Sequence, residues 1–405
     1  MKIVQINAVY GTGSTGRTTM ELHRALKDMG QESYVFTSDG HCEDDGVFPL
    51  GTHTDHKIHA LFSRLSGKQA YFSAGATKEL LKQLDRLKPD VVHLRNLHGN
   101  YIHLPMLLDY LSRKDIATVV TLHDCWFFTG KCTHYTTQGC RRWETGCYDC
   151  PKLKNDNVSW FFDRTKTLWK DKRRLFQAIP RLGVVGVSDW ITDEAKRSFL
   201  KTAKVIRRIY NWIDLDVFCP LRQPLREKYG LQKENGVILC VSAAWHETAE
   251  KFQDLLKLSR ILSPDMRILL VGNVCANVAL PEQIINIGYV DTPEKLAELY
   301  ALADVYVHLS REDTFGKVIA EALACGTPAV VYRSTACPEV VEDGCGYAVP
   351  VGDVESVFEA VCRILQNGKS SYIQRCVNSA RNRFEKAALI RETTNLYQAL
   401  AERDT

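Results

Sequence analysis

The strongest constraint on the fold is a series of short, β-branched apolar runs, separated by segments of helix length, that occurs twice along the chain. The first series comprises 2–7, 33–37, 90–94, 117–123 and 182–187. The second comprises 237–242, 267–272, 284–288, 304–309 and 329–332. Strands that alternate with helices in this way form parallel sheets covered on both faces. The sequence therefore predicts an α/β protein with two doubly wound parallel-sheet domains.

A segment that fits a linker separates the two series. It covers residues 207–220 and contains the turn-forming residues Asn211, Asp214 and Pro220. We place the boundary near Tyr210, which gives domains over 1–209 and 210–385 and a final helix over 386–405 that can cross back to the first domain. Because such domains bind ligands at the carboxyl ends of their strands, we expect them to face each other across a cleft.

The composition and the absence of long apolar runs exclude several classes of protein. The 52 basic residues are nearly balanced by 48 acidic ones, which does not support a dedicated nucleic-acid binder. No apolar run approaches the ~20 residues of a membrane span, and the chain opens as a strand without a signal peptide. We therefore expect a cytoplasmic protein.

A basic cluster at 170–174 is predicted to form the solvated face of a helix. Nearby aromatic residues leave open the alternative of peripheral contact with an anionic membrane surface, at the inner membrane. These residues are Trp160, Phe161, Phe162 and Trp169.

The region 309–328 combines an apolar strand, an acidic loop and a helix. Thr314 is a candidate N-cap, and Gly316 permits close approach of the backbone to a ligand. A helix that starts just after a parallel strand presents unsatisfied amides and a positive dipole end, to which Lys317 adds a formal charge. The region therefore predicts a site for a phosphorylated ligand.

Two carboxylates bracket this predicted site. Asp313 precedes the helix, whereas Glu321 lies within it, about 7 Å further along the axis. They could contact the two ends of an extended ligand. An ordinary βα unit is the alternative interpretation.

A glycine-rich segment at 11–18 follows the first strand and opens a helix. It matches a dinucleotide-binding loop, with Asp39 as the acidic residue further on, and nearly matches a P-loop in which Arg17 replaces the lysine. We favour a third interpretation, a flexible wall of the cleft that contacts a sugar or phosphate, with a plain tight turn as the structural alternative. The residues of this wall are Gly13, Ser14, Thr15 and Gly16.

His123 ends the predicted strand 117–123, where function concentrates in this architecture. An imidazole there can donate to a sugar hydroxyl or stabilise charge on a leaving group. A histidine at a strand end is more often structural. Its expected position opposite the region 309–328 favours a functional role.

Cysteines are concentrated in the predicted loop 123–151. Cys132, Cys140, Cys147 and Cys150 include one close pair, and four thiolates suffice for a tetrahedral structural zinc ion. A disulfide framework is not expected in a reducing compartment. Buried free thiols, or disulfides formed on oxidation, are the alternatives to zinc.

Several of these motifs together resemble those of the retaining glycosyltransferases of family 4, which have the GT-B fold. The block 313–331 resembles the family's Glu-x7-Glu signature, with Asp313 at the first acidic position. Residues 210–220 and 337–344 resemble two further family motifs. The segment 123–151 is similar to a subgroup that builds surface polysaccharides such as colanic acid, capsule and O-antigen.

The resemblance implies hexosyl transfer, with retention at the anomeric carbon, from a UDP- or GDP-linked sugar to a glycan or a polyprenyl-diphosphate-linked acceptor. The carboxyl-terminal domain would hold the donor and the amino-terminal domain the acceptor. The leaving phosphate would itself accept the proton of the acceptor, so neither a protein nucleophile nor a metal cofactor is implied. Catalysis would rest on positioning and on stabilisation of the departing diphosphate.

The same resemblance implies roles for individual residues. Glu321 would bind the ribose hydroxyls, and Asp313 would contact the donor sugar, with His123 on its other side. The other donor-binding residues that it implies, several of them through backbone amides, are Lys251, Phe315, Gly316, Lys317 and Val318.

The chain departs from the family pattern after the first strand of its second series. The family usually places an arginine and a lysine there, whereas this chain has His246 at the position of the arginine and Lys251 at that of the lysine. A non-catalytic GT-B protein that binds a sugar nucleotide or a glycan is therefore the alternative function. A nucleotide-dependent enzyme that uses the glycine-rich segment is a third.

Overall fold

The computed structural model describes residues 1–39, 44–221, 226–275, 277, 279–341 and 344–402. The chain forms two compact units, one of Met1–Ile209 with Ala388–Thr405 and one of Tyr210–Ala387. Each unit is built on its own parallel sheet.

The sheet of the first unit has seven parallel strands within the described residues, in the order β3-β2-β1-β4-β5-β6-β7. The strands are β1 Lys2–Asn7, β2 Glu32–Thr37, β3 Val47–Pro49, β4 Val91–Leu94, β5 Ala117–Leu122, β6 Leu182–Gly186 and β7 Val205–Arg208. The strand order reverses between β1 and β4, which makes the carboxyl ends of these neighbours the expected location of a ligand site.

Helices cover this sheet. They are α1 Gly13–Asp28, α2 His53–Ser66, α3 Ala74–Leu87, α4 Leu104–Arg113, α5 Thr165–Gln177 and α6 Asp189–Arg197. The start of α2 shows how the sequence defines such a boundary, because Thr52 and Asp55 cap each other's backbone N–H groups in a capping box. The same helix ends at Gly67, whose φ of 74° suits glycine.

The sheet of the second unit has six parallel strands among the residues that the structure describes, in the order β10-β9-β8-β11-β12-β13. These strands are β8 Gly236–His246, β9 Met266–Cys275, β10 Ile284–Gly288, β11 Val305–His308, β12 Ala329–Tyr332 and β13 Gly346–Val349. Its helices are α7 Glu250–Ile261, α8 Pro293–Leu302, α9 Lys317–Ala324, α10 Cys337–Val340, α11 Val354–Asn367 and α12 Ser370–Phe384. Here the order reverses between β8 and β11.

The last helix, α13, spans Lys386–Ala401, and its residues from Ala388 onward belong to the first unit. Its Tyr397 hydroxyl lies 2.6 Å from Nδ1 of His93, a buried residue of β4. Arg181 donates to the carbonyl of Leu400 at 3.1 Å, which satisfies one of the last acceptors of the helix.

The central strands are buried on both faces, as a parallel sheet covered by helices requires. Full burial of one valine or leucine side chain contributes about 1.5–3 kcal/mol, so these short strands supply much of the stability of each unit. The predicted α/β class with two parallel-sheet domains is confirmed.

Each of the ten predicted runs overlaps a strand, and the described residues form three further strands that were not predicted. These three are β3, β7 and β13, and all lie at an edge of their sheet. The predicted linker was wrong at its start, because Arg207 and Arg208 belong to β7. Edge strands are half-exposed, so their hydrophobic pattern is weak.

The predicted basic helix face was only partly correct. Lys170, Arg173 and Arg174 are exposed on α5, but Lys172 is buried. Its Nζ donates to the carbonyl of Trp126 at 2.6 Å and lies 3.5 Å from the centre of that indole ring. Trp169 is also buried and does not belong to an exposed aromatic surface.

Candidate active site

The helix α9 in the second unit begins directly after a glycine in the left-handed conformation. Gly316 is the N-cap, with φ of 79°, and not Thr314 as the sequence suggested. Within this turn, the first N–H that donates to a backbone carbonyl is that of Ile319, which donates to the Gly316 carbonyl at 2.9 Å. The N–H groups that precede it have no acceptor within the helix. The helix start therefore offers backbone donors to an anion.

Asp313 stands just before this helix start and is held by its neighbours. Its Oδ2 lies 2.7 Å from Nε2 of His308, at the end of β11. Its backbone N–H donates to Oγ1 of Thr335 at 2.9 Å. Nδ1 of His308 lies 2.9 Å from the hydroxyl of Tyr306, whose pKa burial keeps well above its usual value. The carboxylate is about one-third exposed, so a ligand can reach it.

Glu321 occupies the second turn of α9 and is buried. The Tyr300 hydroxyl donates to its Oε2 at 3.4 Å, and burial raises the pKa of Tyr300 well above its usual value. A buried carboxylate is stabilised by hydrogen-bond donors or opposite charges. Glu321 is therefore suited to accept hydrogen bonds from the hydroxyl groups of a ligand.

Phe315 lies between these two acids, but the structure places its ring in the core. The ring centre is 5.7 Å from that of Tyr210 and 5.4 Å from that of Phe384. Its side chain therefore anchors the loop that carries Asp313. The ring does not line an open surface.

Lys251 approaches the same region from the first turn of α7. Its Nζ donates to Oγ of Ser242 at 2.6 Å and lies 5.4 Å from the ring centre of Trp245. Desolvation lowers the pKa of Lys251, and the charge of Asp313 acts in the opposite direction. His246, at the end of β8, is exposed. The strand predicted over 237–242 is longer in the structure, because β8 pairs with β9 as far as His246.

His123 follows β5 in the first unit, as predicted. Nη2 of Arg95 lies 3.1 Å from Nε2 of His123. A guanidinium can only donate, so Nε2 is the acceptor and the ring carries its proton on Nδ1. The imidazole is therefore held neutral, in one tautomer.

Arg95 itself is buried at the end of β4 and is fixed by further contacts. It donates to Oγ1 of Thr18 at 2.7 Å and to Oε1 of Gln5 at 3.4 Å. Desolvation lowers its pKa to about 10, so it remains a cation at neutral pH. Sequence reasoning missed Arg95. Its place directly after the predicted strand run 90–94 was the signal that could have found the residue, whereas its contacts appear only in the folded chain.

The glycine-rich segment is helical from Gly13 onward, where α1 begins, so the predicted wall of the cleft is the first turn of a helix and not a flexible loop. It follows β1, which pairs with β4 in the sheet. Gly16 is buried, and a Cβ there would lie 3.3 Å from the Gly11 nitrogen, so this position serves packing. Gly13 and Ser14 are exposed at the helix start, with Thr15 half-buried. Asp39, which a dinucleotide site would use for ribose, instead accepts the Tyr10 N–H at 3.0 Å.

The four predicted zinc ligands lie in one loop but do not form a closed set. The sulfur atoms of Cys132 and Cys150 are 3.9 Å apart. Cys147 accepts the Gly130 N–H at 3.2 Å, and Cys140 is half-buried. Among the described residues, the group whose ligand atoms all lie within 4.8 Å of one another is His308, Asp313 and Cys337. Structural zinc at the four cysteines stays a prediction.

Two families of known proteins match the chain. Residues 15–217 match Glycosyltransferase Family 4, and residues 222–383 match Glycosyl transferases group 1. The "Putative colanic acid biosynthesis glycosyl transferase WcaC" of Escherichia coli is 26% identical over 99% of this chain and 100% of its own length.

Solved structures share the architecture. Sucrose-phosphate synthase from Thermosynechococcus elongatus superposes with a TM-score of 0.72 at 16% identity, over 98% of each chain. HepE of Anabaena, solved with UDP-glucose, superposes with a TM-score of 0.66 at 15% identity, over 98% of this chain and 100% of its own. These likenesses concern the fold.

The fold and the residues at its sheet edges define a GT-B glycosyltransferase. The chain belongs to glycosyltransferase family 4. The predicted resemblance is thereby confirmed. No helix in the described parts of the chain is both long and apolar enough to span a membrane.

Proposed function

We propose that this glycosyltransferase moves a hexose from a nucleotide-sugar donor to a glycan or lipid-linked oligosaccharide in the synthesis of a surface polysaccharide, with retention at the anomeric carbon. The observation that carries the proposal is the arrangement around α9. A helix start with unpaired amide donors lies between the carboxylates of Asp313 and Glu321. This arrangement matches a diphosphate that joins a sugar to a ribose.

In this proposal the donor diphosphate accepts hydrogen bonds from the amides of Gly316, Lys317 and Val318. Lys251 and the side chain of Lys317 add positive charge where the leaving diphosphate gains negative charge. Glu321 accepts hydrogen bonds from the ribose hydroxyls, and Asp313 accepts one from the transferred sugar. No step requires a metal ion, because amides and lysines supply the stabilisation.

The neutral His123 has a defined part in this mechanism. Its Nε2 accepts from Arg95, so its Nδ1–H can donate to a hydroxyl of the donor sugar. His123 therefore acts as an orienting hydrogen-bond donor and is not asked to remove the proton of the acceptor. That proton passes to the leaving phosphate as the glycosidic bond breaks and the new one forms.

The proposed class of acceptor is supported by the similarity to a colanic acid biosynthesis protein, over 99% of this chain and 100% of the relative. Intermediates of such polymers carry a lipid diphosphate, which favours peripheral contact with the inner membrane. The donor class is supported by the diphosphate-sized arrangement at α9. UDP-sugars come first in a screen because the fold relative from Anabaena was solved with UDP-glucose.

The test is a transfer assay with a panel of UDP- and GDP-sugars and lipid-linked acceptors. The donor is first selected by thermal stabilisation of the protein, since a ligand that binds only the native state raises its melting temperature. We expect one donor to give a product whose new glycosidic bond keeps the anomeric configuration of the donor, read by NMR. An inverted product would refute retention. Binding without turnover across the panel would instead favour a sugar-nucleotide-binding protein.

A further inference from the structure

Helix α2 has a reversed distribution of polar and apolar side chains. The residues that it buries are His59 and Ser63. Its exposed side includes Ile58, Leu61 and Phe62. A surface helix normally turns its apolar stripe inward and its polar residues to water. This apolar side of α2 stays largely open to solvent, although the Phe62 ring stacks on that of Phe72 with ring centres 5.6 Å apart.

A second exposed apolar segment joins this helix. Trp160, Phe161 and Phe162 are consecutive, with neighbouring ring centres 6.4 Å apart. The Trp160 N–H donates to the carbonyl of Arg64 at 2.7 Å, which fixes the segment at the end of α2. A Cβ at Gly67 would lie 2.2 Å from the Phe162 carbonyl oxygen, so the two segments are packed closely.

We call the exposed apolar side chains of these two adjoining segments the aromatic patch. Its members are Ile58, Leu61, Phe62, Trp160, Phe161 and Phe162, each between 42% and 66% exposed. A cluster of exposed apolar side chains on adjoining segments marks a candidate binding surface.

Basic side chains surround the aromatic patch. The guanidinium of Arg164 lies 5.4 Å from the ring centre of Phe162. Lys154 donates to the Trp160 carbonyl, and Lys57 and Arg64 are exposed on α2 itself. The nearby carboxylate of Asp163 is engaged by the Cys150 and Thr165 backbone N–H groups. Exposed rings with arginine and lysine around them match the interface of an anionic bilayer.

The aromatic patch is connected to the predicted acceptor side of the first unit. Gln69, just after α2, accepts from Nε1 of Trp126 at 3.0 Å and donates to the Asn157 carbonyl at 3.0 Å. Trp126 belongs to the loop that starts at His123, and its N–H donates to Asp124 at 2.8 Å. A bilayer at the patch would therefore lie beside the loop that follows β5.

We propose that the aromatic patch docks the protein on an anionic phospholipid surface, with its rings inserted among the headgroups. This inference rests on the proposed function in one respect, since a lipid-linked acceptor gives the docking its purpose. The surface itself differs from the one that the sequence suggested, because it includes α2 and excludes the buried Trp169.

The test is sedimentation with phosphatidylcholine vesicles that contain or lack phosphatidylglycerol, and without any acceptor. We expect the wild-type protein to bind the anionic vesicles and to be released by salt. The double variant Leu61→Ser with Phe161→Ser should bind them at least about tenfold more weakly, because less apolar surface enters the interface. Arg64→Glu should weaken binding to the anionic vesicles alone. Tyr289→Ser, which removes an equally exposed ring from the second unit, should bind like wild type.

Equal binding of the wild-type protein and the double variant would overturn the proposal. Self-association of the wild type without vesicles, abolished in the double variant, would also overturn it and identify the patch as an interface between copies. Thermal stabilisation by the full panel of UDP- and GDP-sugars is measured on the same samples. Normal vesicle binding without any thermal stabilisation by the sugar nucleotides would refute the proposed function and leave the docking proposal intact. Thermal stabilisation without vesicle binding would refute the docking proposal and leave the proposed function intact.

Discussion

Nε2 of His308 lies 2.7 Å from Oδ2 of Asp313, at the end of β11. An ionised carboxylate can only accept, so His308 donates through Nε2, and its Nδ1 accepts a hydrogen bond from the Tyr306 hydroxyl. This chain of hydrogen bonds orients the carboxylate that the proposed mechanism places against the donor sugar. His308 is thus a positioning residue that acts through Asp313.

The first prediction concerns this coupling. His308→Gln should lower kcat about tenfold to a hundredfold, because a loosely held Asp313 binds the sugar less well in the transition state. The melting temperature and the affinity for UDP should change little. In an Asp313→Asn background the same substitution should have almost no further effect on kcat. Additive losses in the double variant would show that His308 acts independently of Asp313.

The second prediction concerns the start of α9. Gly316→Ala forces a non-glycine residue to a φ of 79°, which costs about 1–2 kcal/mol, and brings its Cβ within 2.7 Å of Ile319. We expect a lower melting temperature and loss of thermal stabilisation by the donor. Gly288→Ala is the matched control, because its φ is 77° and no atom lies within 4 Å of the added Cβ. Donor binding that survives in Gly316→Ala would contradict the anion site.

The third prediction concerns the charge of Lys251. Lys251→Met should weaken donor binding about tenfold or more, since a charge near the diphosphate is lost. Because desolvation lowers the pKa of Lys251, its cation is lost at a lower pH than that of an ordinary lysine. Wild-type donor affinity should therefore fall as pH rises into the alkaline range, and the variant should lack this fall. Lys295→Met removes an exposed lysine from the same unit as a control, and calorimetric titration measures each affinity.

The fourth prediction concerns His59, a buried residue of α2. Desolvation lowers its pKa from 6.5 to about 4, and its Nδ1 lies 2.6 Å from the Ser73 hydroxyl. The unfolded chain binds a proton at His59 below about pH 6.5 while the folded protein does not. The contribution of neutral His59 to the free energy of unfolding is therefore fully present above pH 6.5 and is lost as pH falls towards 4.

Urea unfolding measures this loss. Between about pH 7.5 and pH 5, the wild-type protein should lose about 2 kcal/mol more unfolding free energy than His59→Gln does. His53→Gln, at an exposed position of the same helix, serves as the control and should behave like wild type. Identical pH dependence in wild type and His59→Gln would refute the assignment.

The sequence predicted the central strands of both sheets because full burial leaves continuous apolar runs. It missed β3, β7 and β13, which are short edge strands with few buried side chains, but it predicted the edge strand β10 from its apolar run. β7 carries two arginines, and β13 opens with Gly346 at a φ of 149°. Neither feature predicts a strand from the sequence alone, because each strand is recognised only by its pairing with the neighbouring strand.

The candidate site shows a similar division. Asp313, Glu321 and His123 could be found because a motif or a strand end marks them. Arg95 and His308 could not be assigned, since their roles depend on contacts that form only when strands and helices come together. Phe315 was recognised by its place in a motif, yet its ring is part of the core.

The central claim is that the block from Asp313 to Glu321 binds the nucleotide sugar that the enzyme turns over. The most direct measurement is transfer from the selected donor by wild type and Glu321→Ala, together with donor affinity. The account predicts that Glu321→Ala stays folded, binds the donor at least about tenfold more weakly and loses most transfer, because the ribose hydroxyls lose a buried acceptor. Wild-type affinity and full transfer in Glu321→Ala, across all donors that the wild type uses, would contradict it.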